Sequence, residues 1–131
     1  MIVLDASAVV ELLLDTPAGR RVGGRLDDAA LAIHAPHLVD VEAASALRRL
    51  VRDGIIEADE AEAALDDLRA LDLQRHAHEP LLDRMWALRE NMSAYDATYV
   101  ALADALEATL VTCDAKLARA KGVGGRIEVV K

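Results

Sequence analysis

Apolar positions along this chain follow two periods. Short apolar runs recur between longer stretches in which apolar residues return every three or four positions, as buried strands joined by amphipathic helices would read. The first run is Met1-Ile-Val-Leu4, β-branched and ended by Asp5, in the manner of a buried parallel strand. Ser7 is placed to cap a helix over residues 8–14, which Asp15, Thr16 and Pro17 break. A second amphipathic stretch over 19–28 is weakened by Gly23 and Gly24, and 30–34 reads as a strand closed by Pro36. A long helix over 39–52 follows, with Val41, Ala44, Ser45, Leu47 and Val51 as its apolar spacing and Gly54 as its C-cap. Arg48, Arg49 and Arg52 occupy its other face.

The next helix, 59–71, turns Ala61, Ala64, Leu65 and Leu68 inward and precedes a short strand over 71–75. After His76 and His78, a helix over 80–89 carries Met85 and Trp86 in what reads as a packing stripe. Asn91, Met92 and Ser93 make a break before a strongly helical run, 94–106, with Tyr99, Leu102 and Leu106 on one side. A strand over 109–112, a short helix over 116–120 and a closing strand over 127–130 complete the pattern. Strands alternating with helices predict an α/β sandwich around a parallel sheet. No repeat or long linker divides it, so 1–131 is expected to be a single domain.

Composition sharpens this picture. The chain has 131 residues, 53% of them hydrophobic but only 2% aromatic and none Phe. Its core must therefore be Ala, Leu, Val and Ile packed closely between layers. The single Cys113 rules out an internal disulfide and suits a reducing compartment. The opening apolar run lacks a basic leader region, and no run approaches the roughly 18 apolar residues of a membrane span. The expectation is a cytoplasmic protein with no membrane partner.

A formal charge of −8 argues at first against nucleic acid. The excess is local, however: between Asp53 and Asp72 eight acids face Arg69 alone, and these read as a solvated face. From Thr112 onward Lys116, Arg119, Lys121, Arg126 and Lys131 outnumber Asp114 and Glu128, so a basic C-terminal edge survives.

Four acids are the candidate chemistry. Asp5 and Asp114 each follow an apolar strand and precede a helix, where ligands gather in open parallel sheets. Glu42 and Asp96 fall near the starts of their helices. Gathered carboxylates resist joint ionisation, and a divalent cation reverses that penalty, because Mg²⁺ and Mn²⁺ favour hard oxygen ligands and bridge acidic protein to phosphate. In such a site Asp5 and Asp96 would hold the principal ion, with Asp114 and Glu42 completing it or holding a second, and no protein nucleophile is needed. Taken singly, each acid is equally a capping, dipole-favoured or turn residue. Spacing alone does not separate the two roles.

Context does. Val3-Leu-Asp5-Ala-Ser-Ala-Val-Val, Val41-Glu42-Ala-Ala-Ser-Ala-Leu-Arg-Arg49, Ser93-Ala-Tyr-Asp96-Ala-Thr-Tyr-Val-Ala-Leu102 and Leu110-Val-Thr-Cys-Asp114-Ala-Lys-Leu-Ala118 occur in order. Together they resemble PIN-domain ribonucleases of the VapC toxin kind over residues 2–119. The resemblance implies a three-layer α/β/α sandwich with a central, mainly parallel five-stranded sheet. It also implies Mg²⁺- or Mn²⁺-dependent endonucleolytic cleavage of RNA, a tRNA or another structured RNA being candidates, a homodimer, and inhibition by a cognate VapB-type antitoxin. The acids matching Asp5, Glu42, Asp96 and Asp114 line the pocket in such proteins, assisted by a hydroxyl at Ser7 or Thr112. Ser45 stands where Asn is frequent and Cys113 where Ala is frequent; neither difference removes a carboxylate.

Other features are expected to be structural. Strand alternation turns Cys113 away from the face of Thr112 and Asp114, as a small core thiol. His34, His37, His76 and His78 lack zinc-type helical spacing and read as loop or surface residues. The arginines of the long helix either grip phosphate or keep the surface soluble. Val9, Leu12 and Leu13 offer an apolar surface for the antitoxin. A dehalogenase-like phosphatase would need an Asp where Ser7 stands, and a receiver domain would need an acidic pair at the first strand, which Leu4-Asp5 does not supply. A PIN-like module that binds RNA or protein without cutting is the non-enzymatic alternative.

Overall fold

The computed structural model describes residues 1–28, 30–120, 123 and 125–131. Lys121, one of the bases of the C-terminal edge, lies outside them. The first strand, β1 (Ile2–Leu4), passes through Asp5 into α1 (Ala6–Leu13). Asp5, rather than Ser7, caps that helix by accepting the Ala8 N–H at 3.0 Å, so α1 begins earlier than the sequence pattern predicts. The second helix, α2 (Pro17–Arg25), opens on a Thr16 cap with Pro17 in its first turn. Gly23 and Gly24 do not break it, because tertiary packing against α1 overrides their poor propensity. Strand β2 (Ile33–Pro36) includes the proline expected to close it. Pro36 lies past the end of the pairing with β1, which stops at His34, so no ladder bond on that side needs its missing N–H.

The long helix α3 (Leu38–Arg52) buries Val39, Ala43 and Leu47. Of the expected inward positions only Leu47 is buried, and Val41 is 67% exposed. An alanine-rich helix offers several weak apolar stripes, and the neighbouring layer selects among them. The acidic helix α4 (Ala58–Ala70) buries Ala64 and Leu68 and leaves its acids in solvent. Next come β3 (Leu73–His76), a 3-10 turn (Glu79–Leu81), α5 (Leu82–Ala87), α6 (Ala94–Leu106), β4 (Thr109–Thr112), α7 (Ala115–Ala118) and β5 (Ile127–Val129). α6 and β4 fall at their expected boundaries.

All five strands are parallel, in the order β3-β2-β1-β4-β5. β1 is buried along its whole length between β2 and β4. Helices α1 to α4 pack among themselves, while α6 lies across β1, β2 and β4 and carries α5, giving the α/β/α layering. Strand order reverses at β1, and in an open parallel sheet such a switch point opens a crevice beyond the strand carboxyl ends. Asp5 and Asp114 follow the two strands that meet there.

Three expectations need correction. Val9, on α1, is fully buried and offers nothing to a partner. Trp86 belongs to no packing stripe: it is 69% exposed, with the Arg89 guanidinium 4.7 Å from its ring centroid. His34 is a buried strand residue whose Nδ1 stands 2.8 Å from His76 Nε2, and His78 Nε2 accepts the Leu38 N–H at the start of α3. Among the described residues, no helix is long and apolar enough to cross a membrane.

Candidate active site

A cleft of about 550 Å³ opens at the switch point, and Asp5, Glu42, Asp96 and Asp114 all line it. Each carboxylate comes from a different element. Asp5 ends β1, Glu42 lies on the second turn of α3, Asp96 is in the first turn of α6, and Asp114 joins β4 to α7. The capping roles are real as well: Asp114 accepts the Lys116 N–H at 2.9 Å while facing the cleft. Helix capping and membership of the acidic group coexist, because a cap needs one oxygen and a carboxylate has two.

Asp5 is the best anchored. Its Oδ1 accepts from Ser7 Oγ at 2.7 Å and from the Ala8 N–H at 3.0 Å, and its Oδ2 accepts from Thr112 Oγ1. Of about four lone-pair positions on a carboxylate, these bonds leave roughly one for anything in the cleft. Ser7 Oγ in turn accepts the Cys113 N–H at 2.9 Å, and Thr112 Oγ1 accepts the Asp114 N–H at 2.9 Å. The two hydroxyls therefore lock the end of β1 to the end of β4 and hold Asp5 at a fixed angle.

Burial pushes the Asp5 carboxyl above its ordinary value; the hydrogen bonds from Thr112, Ala8 and Ser7 oppose that, and the Asp114 charge adds to it. Asp96 is also raised, by burial and then by Asp114. Glu42 is held differently, its Oε1 accepting the Tyr99 hydroxyl at 2.5 Å. Tyr99, 2% exposed, is held protonated by burial and by Glu42. Sequence reasoning placed Tyr99 only on a packing face; its position three residues after Asp96, hence on the same side of α6, was the available signal. Ser45 and Arg49 also line the cleft.

The donors facing the cleft are carboxylates and hydroxyls, with no His or Cys among its lining residues. That set fits a hard cation such as Mg²⁺ or Mn²⁺ better than zinc. Among the described residues, no group of three or more His, Cys, Asp or Glu side chains is placed to hold a metal ion. Mg²⁺ does not require such a group, since it keeps several waters and binds through one or two carboxylates plus phosphate oxygens. Cys113 lies outside the lining, half-buried, its thiol pushed up to about 11 by burial, then by the Asp5 and Glu11 charges.

Comparison with known proteins gives a consistent family. The PIN domain family matches residues 2–123. Ribonuclease VapC12 of Mycobacterium tuberculosis is 41% identical over 130 residues, covering 99% of this chain and 99% of its own length. Ribonuclease VapC9 of the same organism is 45% identical over 117 residues, covering 89% of this chain and 88% of its own. Among solved structures, a toxin–antitoxin complex from Klebsiella pneumoniae has a chain that superposes with a TM-score of 0.67 at 16% identity, over 98% of this chain and 97% of that one.

Proposed function

This chain belongs to the PIN domain family, among the VapC ribonucleases, and from that premise we propose that it is an endoribonuclease toxin restrained by an antitoxin. The observation that carries the reading is the convergence of Asp5, Glu42, Asp96 and Asp114 on one cleft at the switch point of the sheet. Asp5 and Asp96 are the principal ligands of a divalent cation, Mg²⁺ with Mn²⁺ able to replace it, and Asp114 and Glu42 complete the set or serve a second ion. The cation supplies activation of water and neutralisation of the charge that develops on the phosphate being cut.

The chain's own residues supply placement. Ser7 and Thr112 are positioning residues, because both hydroxyls donate to Asp5 and act through it. Tyr99 fixes Glu42 in the same way. Among the described residues, no side chain lining the cleft has the arrangement of an activated nucleophile, a hydroxyl or thiol paired with a histidine or lysine base, which supports water as the attacking group and hydrolysis as the reaction. The substrate is RNA held across the cleft. The partner is a cognate VapB-type antitoxin, the setting is the cytoplasm, and the working form is a homodimer, for which exposed Leu82 and Trp86 on α5 offer apolar surface.

The test is cleavage of total RNA by the purified chain. Cutting is expected with Mn²⁺ or Mg²⁺, absent with EDTA, and suppressed when the antitoxin encoded beside it is added. A chain that binds RNA but never cuts it, whatever the cation, would favour the non-cutting binding module instead.

A further inference from the structure

Arg49 is an unusual neighbour for this cleft. Glu42, Ala46 and Arg49 succeed one another at steps of three or four residues and form one stripe of α3 facing the acids, continued by Asp53 at its C-terminal cap. The carboxylates near Arg49 on the cleft wall are engaged elsewhere: Glu42 with the Tyr99 hydroxyl at 2.5 Å, Asp53 with Arg52 Nε at 3.2 Å, and Glu11 with the Thr16 hydroxyl. Among the described residues, the Arg49 side chain has no ion pair and no hydrogen bond, although it sits in a wall lined by six acids. Arg48 does not line the cleft, and Arg52 is paired with Asp53. Sequence pattern grouped the three arginines on one face; the structure singles out Arg49.

A guanidinium is always charged, and its planar fork of donors matches phosphate oxygens. Cations bound by the four carboxylates would repel it, so its complement in the cleft is an anion. Arg49 lies seven residues along α3 from Glu42, about 10 Å along the helix axis, a distance that one or two nucleotides of an RNA strand bridge. We infer that Arg49 holds a backbone phosphate of the RNA one or two nucleotides from the bond that is cut. This inference rests on the cleft being the RNA-cutting site. Such a contact fixes where the strand lies and is blind to base identity.

The experiment measures binding of a labelled single-stranded oligouridylate of about 12 nucleotides, a length that a small domain can span. It uses the full chain carrying Asp5→Asn, with Mg²⁺ present, over a series of salt concentrations. Arg49→Ala in that background is expected to weaken binding about tenfold at low salt and to reduce the slope of log affinity against log salt by about 0.7, the value of one single-strand phosphate contact. Arg49→Lys keeps the slope, and Arg48→Ala keeps both affinity and slope. An Arg49→Ala chain with unchanged affinity and slope, or an equal loss in Arg48→Ala, overturns the inference. Cleavage kinetics without Asp5→Asn separate it from the nuclease assignment. If Arg49 governs binding but the otherwise unaltered chain cuts nothing, the nuclease assignment fails, and with it the placement beside a cut bond, while the phosphate contact itself stands. If that chain cuts RNA and Arg49→Ala leaves KM unchanged, only the phosphate contact fails; a raised KM with kcat preserved supports it.

Discussion

Tyr99 links packing to chemistry in one side chain, its ring in the core and its hydroxyl on Glu42. Tyr99→Phe keeps the ring and deletes the donor. The expected result is a loss of about 1–2 kcal/mol in urea unfolding, with RNA cleavage slowed because Glu42 is no longer held; unchanged stability and rate would show the contact to be idle. His34 gives a separate test, in pH. Burial and then the neighbouring His76 lower its pKa below the ordinary value of about 6.5, and among the described residues its Nε2 has no hydrogen-bond partner. As pH falls, the unfolded chain takes up this proton before the folded one. The stabilisation is thus complete above about pH 6.5 and declines below it. His34→Gln should flatten this part of the Tm profile between about pH 7 and 5, and an identical acid slope in both chains would contradict the assignment. At this scale the acids were legible in sequence because strand ends and helix starts are marked by local signals. Trp86 and His34 were not, because whether a helix face or strand position is covered depends on partners far away in the chain.

Elements were legible where their own residues decide them. Ser93 caps α6 by accepting the Asp96 N–H at 3.2 Å, and the apolar run of β4 lies directly between α6 and Asp114, so both elements fall where the pattern placed them. They were less legible where a neighbour decides. The contact of α1 with α2 is the clearest case: a Cβ on Gly19 would lie 1.8 Å from the Glu11 carbonyl oxygen. Gly19→Ala would favour an isolated helix by about 1 kcal/mol. Here it is expected to destabilise the protein by about 1–3 kcal/mol through overpacking, read as a fall in Tm. A rise would mean that the helices do not approach this closely. The same dependence explains α3, whose buried stripe was chosen by the elements it packs on rather than by the apolar spacing of its own residues.

For the whole molecule, strand order is what turns four dispersed acids into a site. Five short apolar strands do not reveal which of them pair, so the β1–β4 neighbourhood could not be read from periodicity, and motif resemblance implied only that the four acids share a pocket. The order β3-β2-β1-β4-β5 then brings residues 5 and 114 to adjacent strand ends, with α3 and α6 closing the walls. Net charge misleads at this scale as well. Of the eight acids between Asp53 and Asp72, only Asp53 lines the cleft, so most of that acidity sits away from where RNA would lie. The most direct test of the central claim is the rate of RNA cleavage by Asp5→Asn in Mn²⁺, with a melting curve recorded on the same sample. The expected rate is at least about a hundredfold below that of the unaltered chain, with a cooperative unfolding transition. Cleavage at the unaltered rate by a folded Asp5→Asn protein would contradict the claim.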